Sequence, residues 1–251
     1  MGERLQSGAT LTGMQCFSAS PVMVEAMGAG GLDFTIIDME HCPTQLETVA
    51  HLLRAADASG IVPLVRVPDL DVPLIGRTLD LGAQGIVLPH ATMARCVAGV
   101  RAVRYAPEGD RGACPVVRAA GYLPEDWQAH SDRSNKEMML IPLVEDERAV
   151  NEIEDIFEID GIDVVFLGPF DLSISMGLKG ADYKHPKLAA ILDRVVAAAK
   201  KNKKHVMTTV GATLDEKYAA TLVNKGVRLL SFSADVAVFL TACRGIAALR
   251  G

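Results

Sequence analysis

What this sequence has little of narrows its chemistry. It holds one tryptophan, and aromatic residues make up only 5% of 251 positions. Its five cysteines, Cys16, Cys42, Cys96, Cys114 and Cys243, are odd in number and contain no CxxC pair. That excludes a disulfide framework and a zinc knuckle, and points to reduced thiols in a cytoplasmic protein. GxGxxG, Walker A and GxSxG sequences are all absent, so nothing indicates a dinucleotide turn, a P-loop or a serine-hydrolase elbow. No apolar run is long enough to span a bilayer, so a membrane is not an expected partner. The opening MGERLQSGATLTG lacks the apolar core of a signal peptide, and Gln6 stands where a myristoylation signal has Ser or Thr. Positive charge is sparse too. The formal net charge is -6, and the one basic run, KKNKK at Lys200 to Lys204, reads as a solvated helix end. Nucleic acid is thereby excluded as the main partner.

What is present is apolar and rhythmic. Hydrophobic residues make up 49% of the chain. They gather in eight short runs: TGMQCF (12–17), FTIID (34–38), VPLVRV (62–67), GIVLPH (85–90), MMLIPLVE (138–145), DVVFLG (163–168), KHVMTTV (204–210) and RLLSFS (228–233). These are too short for helices and do not alternate cleanly with polar residues, as expected of parallel strands buried on both faces. A helical pattern follows each run. PTQLETVAHLLRAADASG, with Pro43 near its start and Gly60 at its end, is the clearest. Eight strand–helix units in this length predict a single (β/α)8 TIM barrel occupying residues 1–251. A doubly wound open sheet is the main alternative. A long polar insert, residues 106–136, breaks the rhythm between the fourth helix and the fifth strand. It reads as an active-site loop or a surface excursion.

In a barrel, reactive groups belong at the carboxyl ends of the strands. The second run ends in Asp38, Glu40 and His41, the third in Arg66, the fifth in Glu145, and the sixth leads to Asp171. Each has a purely structural reading: Arg66 could pair with a barrel carboxylate such as Asp80, Glu145 could cap the helix DERAV, and Asp171 could cap the turn after Pro169. Their joint occurrence at one mouth favours a site instead, because a buried charge is costly unless paired or metal-bound. Two carboxylates, Glu145 and Asp171, suit a hard divalent cation. An arginine suits an oxyanion, and a histidine with an aspartate three residues earlier suits proton transfer. The set fits metal-assisted enolisation of a 2-oxo acid. A Schiff-base route is set aside, since Lys204 alone touches a strand and does so at its amino end.

The segments IDMEH (37–41), PLVRV (63–67), LDLGAQGIVLP (79–89), YAPEGDRG (105–112), LVEDERAVNEIEDIFEIDGIDVVFLGPFDLSISMG (143–177) and HPKL (185–188) resemble the HpcH/HpaI aldolases. The resemblance runs from about Gly13 to the carboxyl end. It implies a pyruvate-type (β/α)8 barrel, often with its last helix exchanged between subunits, and commonly a homo-hexamer. It implies a cytoplasmic divalent-metal-dependent aldolase, using Mg²⁺, Mn²⁺ or Co²⁺, that cleaves a 4-hydroxy-2-oxo acid to pyruvate or a related 2-oxo acid and an aldehyde. By this resemblance Glu145 and Asp171 are metal ligands, Arg66 steadies the enolate, and His41 with Asp38 forms a proton-transfer dyad. Gly168, Pro169 and Phe170 form the turn that receives the carboxylate. From the residues alone, Glu40 reads as support for its loop or for a subunit contact, and Asp80 as a second-layer carboxylate behind Arg66. Leu143, Met39, Phe170 and Gln15 depart from better-known members, which bears on pocket shape rather than reaction class. Two rival readings remain. One is a CoA-thioester lyase of the malyl or citryl type, or an oxaloacetate decarboxylase, with Arg111, Arg118 and Arg133 as the only candidates for a basic groove. The other is a binding module without catalysis.

Overall fold

The computed structural model describes residues 1–178, 183–211 and 214–250. Thr213, the first residue of the helical segment TLDEKYAATLVNKG, lies outside them. Each apolar run becomes a strand, with ends within a residue or two of those expected: β1 Leu11–Cys16, β2 Phe34–Asp38, β3 Val62–Arg66, β4 Gly85–Leu88, β5 Met139–Val144, β6 Val164–Leu167, β7 His205–Gly211 and β8 Leu229–Ala234. All pair in parallel and close in sequence order into one barrel. The doubly wound alternative is therefore excluded. The helices are α1 Gly2–Gln6, α2 Pro21–Ala29, α3 Leu46–Ser59, α4 Val72–Asp80, α5 Met93–Val103, α6 Trp127–Glu137, α7 Glu147–Asn151, α8 Ile153–Glu158, α9 Pro169–Ser175, α10 Pro186–Lys201, α11 Glu216–Lys225 and α12 Asp235–Ala248. No helix among the described residues is long and apolar enough to cross a membrane.

Two cores result from the two faces of each strand. Leu11, Phe34, Ile36, Leu64, Val87, Ile141, Leu143, Val164, Phe166, Met207 and Leu229 fill the barrel interior. Ile37, Val65, Ile86, Val144 and Val165 face outward against helix residues such as Leu52, Leu53 and Phe157. Successive side chains on a strand alternate sides. The positions that follow Phe34 and Ile36, Leu64, and Ile141 and Leu143 in the same parity are Asp38, Arg66 and Glu145. The period that packs the barrel therefore delivers these three ionisable groups to the inside of its carboxyl-terminal mouth.

Gly13 shows how closely the strands approach. It pairs with Phe34 in register, and a Cβ there would overlap both the Phe34 ring and its carbonyl oxygen. Gly13→Ala is expected to lower stability by about 1–3 kcal/mol, as overpacking does. Urea unfolding followed by circular dichroism reads this directly, and an unchanged midpoint would mean that the first two strands are not this close.

The polar insert takes its own structure. Asp126 caps α6, accepting the Ala129 amide at 3.0 Å. Asn135 fastens that helix to α5's end, accepting the Tyr105 amide at 2.7 Å and donating to its carbonyl at 3.1 Å. An insert between a helix and the next strand returns to the amino-terminal mouth. It lies with Gly82, Ala83 and Met139 around a cavity of about 920 Å³ there, at the end opposite the reactive groups. The active-site-loop reading of residues 106–136 does not survive this placement.

Candidate active site

Asp38 and Arg66 are partners in register on adjacent strands. Arg66 Nε donates to Asp38 Oδ1 at 2.6 Å and lies 3.3 Å from Glu40 Oε2. The Arg66 side chain is 8% exposed and that of Asp38 0%. Burial would raise the Asp38 carboxyl, but the Arg66 hydrogen bond and charge, with the amides of His41 and Glu40, hold it below the usual carboxylate range. Phe17, just after β1, places its ring centroid 5.8 Å from the guanidinium carbon. Arg66 Nη2 is buried and has no hydrogen-bond partner among the described residues. A buried donor without a partner is expensive, so Nη2 is a donor held ready for an acceptor from outside the chain.

The charged partners of Arg66 are thus Asp38 and Glu40, and Asp80 is not among them. Asp80 accepts from Arg111 at 3.0 Å. It is the last residue of α4, and a helix of the outer ring runs back toward the amino-terminal mouth, carrying Asp80 away from the site. The Asp38–His41 pairing also takes a different form from that expected. Asp38 Oδ2 accepts the His41 backbone amide at 2.9 Å. The His41 ring is 58% exposed and faces Glu40, with Nε2 3.8 Å from Oε2. Arg66 and two amides occupy the Asp38 carboxylate, so Glu40 is the charge beside the imidazole.

Glu145 is free of capping duty, because Asp146 caps α7 by accepting the Ala149 amide at 2.7 Å. Instead it turns inward. Its Oε1 accepts the His90 backbone amide at 2.8 Å. Burial pushes the Glu145 carboxyl up, the amide and ring of His90 pull it back, and the charges of Glu40 and Asp171 push it up further. Gly168 lies beside it; a Cβ there would stand 3.3 Å from Glu145 Cβ and 3.0 Å from Leu143 Cδ1. Gly168 precedes α9, whose buried first residue is Pro169 and whose first turn holds Asp171. Phe170 is exposed, pointing away from the packed core. Leu143 is buried in the barrel interior.

Asp38, Glu40, Glu145 and Asp171 thus gather at the mouth around the Arg66 guanidinium. The donor set fits a hard divalent cation, which would balance the excess negative charge. Among the described residues no group of three or more His, Cys, Asp or Glu side chains is placed to hold a metal. The protein would supply Glu145 and Asp171, and water and substrate oxygens the rest, an arrangement usual for magnesium. The two thiols nearest the mouth are held in their protonated form. Burial, and then nearby carboxylates, push Cys16 up to about 11 and Cys42 up to about 12.

A family model described as HpcH/HpaI aldolase/citrate lyase matches residues 11–242. The chain belongs to the HpcH/HpaI family. A 2-dehydro-3,6-dideoxy-6-sulfogluconate aldolase from Pseudomonas putida is 36% identical over 191 residues, 75% of this chain and 73% of that enzyme. A hydroxypyruvate/pyruvate aldolase from Paraburkholderia phytofirmans is 34% identical over 249 residues, 96% of this chain and 93% of its own. The crystal structure of an HpcH/HpaI family protein from Burkholderia cenocepacia superposes with a TM-score of 0.90 at 33% identity, over 99% of this chain and 98% of that one. The family and the carbon–carbon lyase class expected from the residues are those of its relatives.

Within this HpcH/HpaI barrel the structure brings Asp38, Glu40, His41, Arg66, Glu145, Gly168, Pro169 and Asp171 to one mouth and leaves Asp80 at the other. Phe17 and His90 are additions that the sequence reading missed. A signal for His90 was present: strands two, three, five and six all led to a charge, and the residue ending GIVLPH completes the arc.

Proposed function

We propose that the chain is a divalent-metal-dependent aldolase. It reversibly cleaves a 4-hydroxy-2-oxo acid into pyruvate, or a related 2-oxo acid, and an aldehyde. The observation that carries this reading is the unpartnered Arg66 Nη2 at the same mouth as Glu145 and Asp171: a free oxyanion donor in a site that also holds two carboxylates suited to a cation. When bound, a cation such as Mg²⁺, Mn²⁺ or Co²⁺ supplies Lewis acidity that polarises a keto oxygen. Arg66 offers its free N–H to the oxygen on which charge develops. In cleavage the 4-hydroxyl proton leaves, the bond between C3 and C4 breaks, the aldehyde departs, and the electron pair is held as the enolate of the 2-oxo acid. Protonation at C3 then completes the product. The His41 ring, open to the mouth with Glu40 beside it, takes the 4-hydroxyl proton and returns it at C3, so that the proton count closes. The backbone turn from Gly168 through Pro169 and Phe170 receives the substrate carboxylate at the start of α9.

The CoA-lyase reading loses its support. Arg111 pairs with Asp80 at 3.0 Å, Arg118 pairs with Asp57, and both line the opposite mouth with Arg133. We further infer assembly into a homo-oligomer. Helix α12 exposes Val236, Phe239, Leu240 and Ile246, an apolar surface suited to exchange between copies.

Proton exchange at the methyl group of pyruvate in D₂O, followed by NMR, tests the core of the proposal without a guess about the aldehyde. Exchange is expected with Mg²⁺ or Mn²⁺, to vanish in EDTA, and to return when metal is restored. A folded, metal-loaded protein that exchanges no methyl proton would rule out the pyruvate enolate and favour a non-catalytic role.

A further inference from the structure

His90 follows β4 and stands between the carboxylates of two other strands. Its φ is 53°, in the left-handed region that residues with side chains seldom adopt. Such a conformation persists only where the surroundings fix it, and it concentrates at functional sites. Here Pro89 is buried on one side, and on the other the Ala91 amide donates to the Leu143 carbonyl at 3.2 Å. The twist has a clear result. The His90 amide donates to Glu145 Oε1 at 2.8 Å, and ring Nδ1 lies 3.1 Å from the same oxygen. Ring Nε2 lies 3.8 Å from Glu40 Oε1. Glu145 Oε2 accepts no hydrogen bond from any described residue and is not among the buried unpartnered atoms, so it remains open to the mouth.

We propose that His90 is a positioning residue that pins Glu145 by one oxygen, so that the other meets a divalent cation from a fixed direction. The inference rests on the metal-dependent reading above. A carboxylate free to rotate offers either oxygen, or both, and holds a small octahedral cation less well than one whose direction is set. With its backbone in the left-handed region, His90 reaches Glu145 with a backbone group and a ring group at once. The strain at φ 53° therefore has a functional account.

Manganese binding followed by electron paramagnetic resonance tests this without reference to turnover. His90→Gly keeps the left-handed backbone and its amide but removes the ring. His90→Asn tolerates the same backbone with a side chain too short to replace the imidazole. Outer-shell partners of metal ligands are worth roughly 10–100-fold in affinity. His90→Gly is expected to weaken Mn²⁺ binding about tenfold, and His90→Asn several-fold, with no matching loss of thermal stability. At saturating Mn²⁺ the kcat for pyruvate methyl exchange should fall far less than the metal affinity does. Wild-type Mn²⁺ affinity in either folded variant would overturn the role of His90 and leave the proposed function standing. A folded wild-type protein that binds no Mn²⁺ would overturn both.

Discussion

Glu145→Gln is expected to abolish metal binding and reduce metal-dependent turnover by roughly three orders of magnitude, if the cation supplies about 4 kcal/mol at 1.36 kcal/mol per tenfold. The substitution conserves shape, and the amide oxygen can still accept from the His90 amide, so local packing should hold. Its effect on the metal-free protein should have the opposite sign. Burial raises the Glu145 carboxyl above its ordinary range. The folded state then binds the proton more tightly than the unfolded chain does. Below the unfolded pKa the group contributes nothing; as pH rises through the raised folded value, the buried charge subtracts from stability. Once pH has passed the raised folded value, the wild-type apoprotein carries that penalty and the glutamine variant does not. Differential scanning fluorimetry in EDTA at pH 8 should therefore find the variant no less stable than wild type, while added Mn²⁺ stabilises the wild type alone. A folded Glu145→Gln protein that keeps its metal-dependent activity would remove Glu145 from the metal site.

The strands were legible because burial on both faces makes each one a compact apolar run, and because barrel closure needs no signal beyond their number and spacing. The inward charges were legible for a related reason. Asp38, Arg66 and Glu145 interrupt such runs at their carboxyl ends, where side-chain parity and chain direction together place them. What the sequence hid lay in partners. Arg66 was open to any barrel carboxylate, and the register of β2 on β3 makes Asp38, its lateral neighbour, the partner, while Asp80 pairs with Arg111. The direction of α4 would have excluded Asp80 beforehand, since the end of an outer helix lies at the amino-terminal mouth. The Asp38–His41 spacing suggested a side-chain pair, but at a strand end the backbone turns at once, and the carboxylate meets the His41 amide instead of its ring.

Two elements were hidden for other reasons. Helix α6 has no apolar stripe; WQAHSDRSNKE is held by an aspartate cap, by Asn135 on the backbone of Tyr105, and by Trp127 edge-on to the Tyr105 ring at 5.3 Å. Polar fastenings of that kind leave no periodic trace. His90 ends a strand run as the other site residues do, but its sequence position does not show the left-handed backbone that turns its amide and ring onto Glu145.

Arg66→Lys should separate the two duties of the arginine. Its Nε holds the buried Asp38, and its Nη2 waits for a partner that the chain does not provide. Removing the side chain outright would confuse them. Arg66→Ala leaves the Asp38 carboxylate buried without its cation, and breaking such a pair typically costs about 3–5 kcal/mol. The pH sense of that loss is fixed by the lowered Asp38 carboxyl. In the wild type its stabilisation is fully present above the ordinary carboxylate pKa and disappears as pH falls through the lowered one. Without Arg66 burial dominates, and acid unfolding should begin at higher pH. Lysine keeps a positive charge for Asp38 but has no planar fork that can grip Asp38 with one nitrogen and an oxyanion with another. Arg66→Lys should therefore fold, with acid unfolding close to wild type, yet lose roughly 10²–10³-fold in pyruvate proton exchange, the usual consequence of removing one oxyanion donor. Exchange within a few-fold of wild type would mean that the unpartnered nitrogen does not face the reacting oxygen, and that Arg66 serves the barrel mouth as a structural counter-charge.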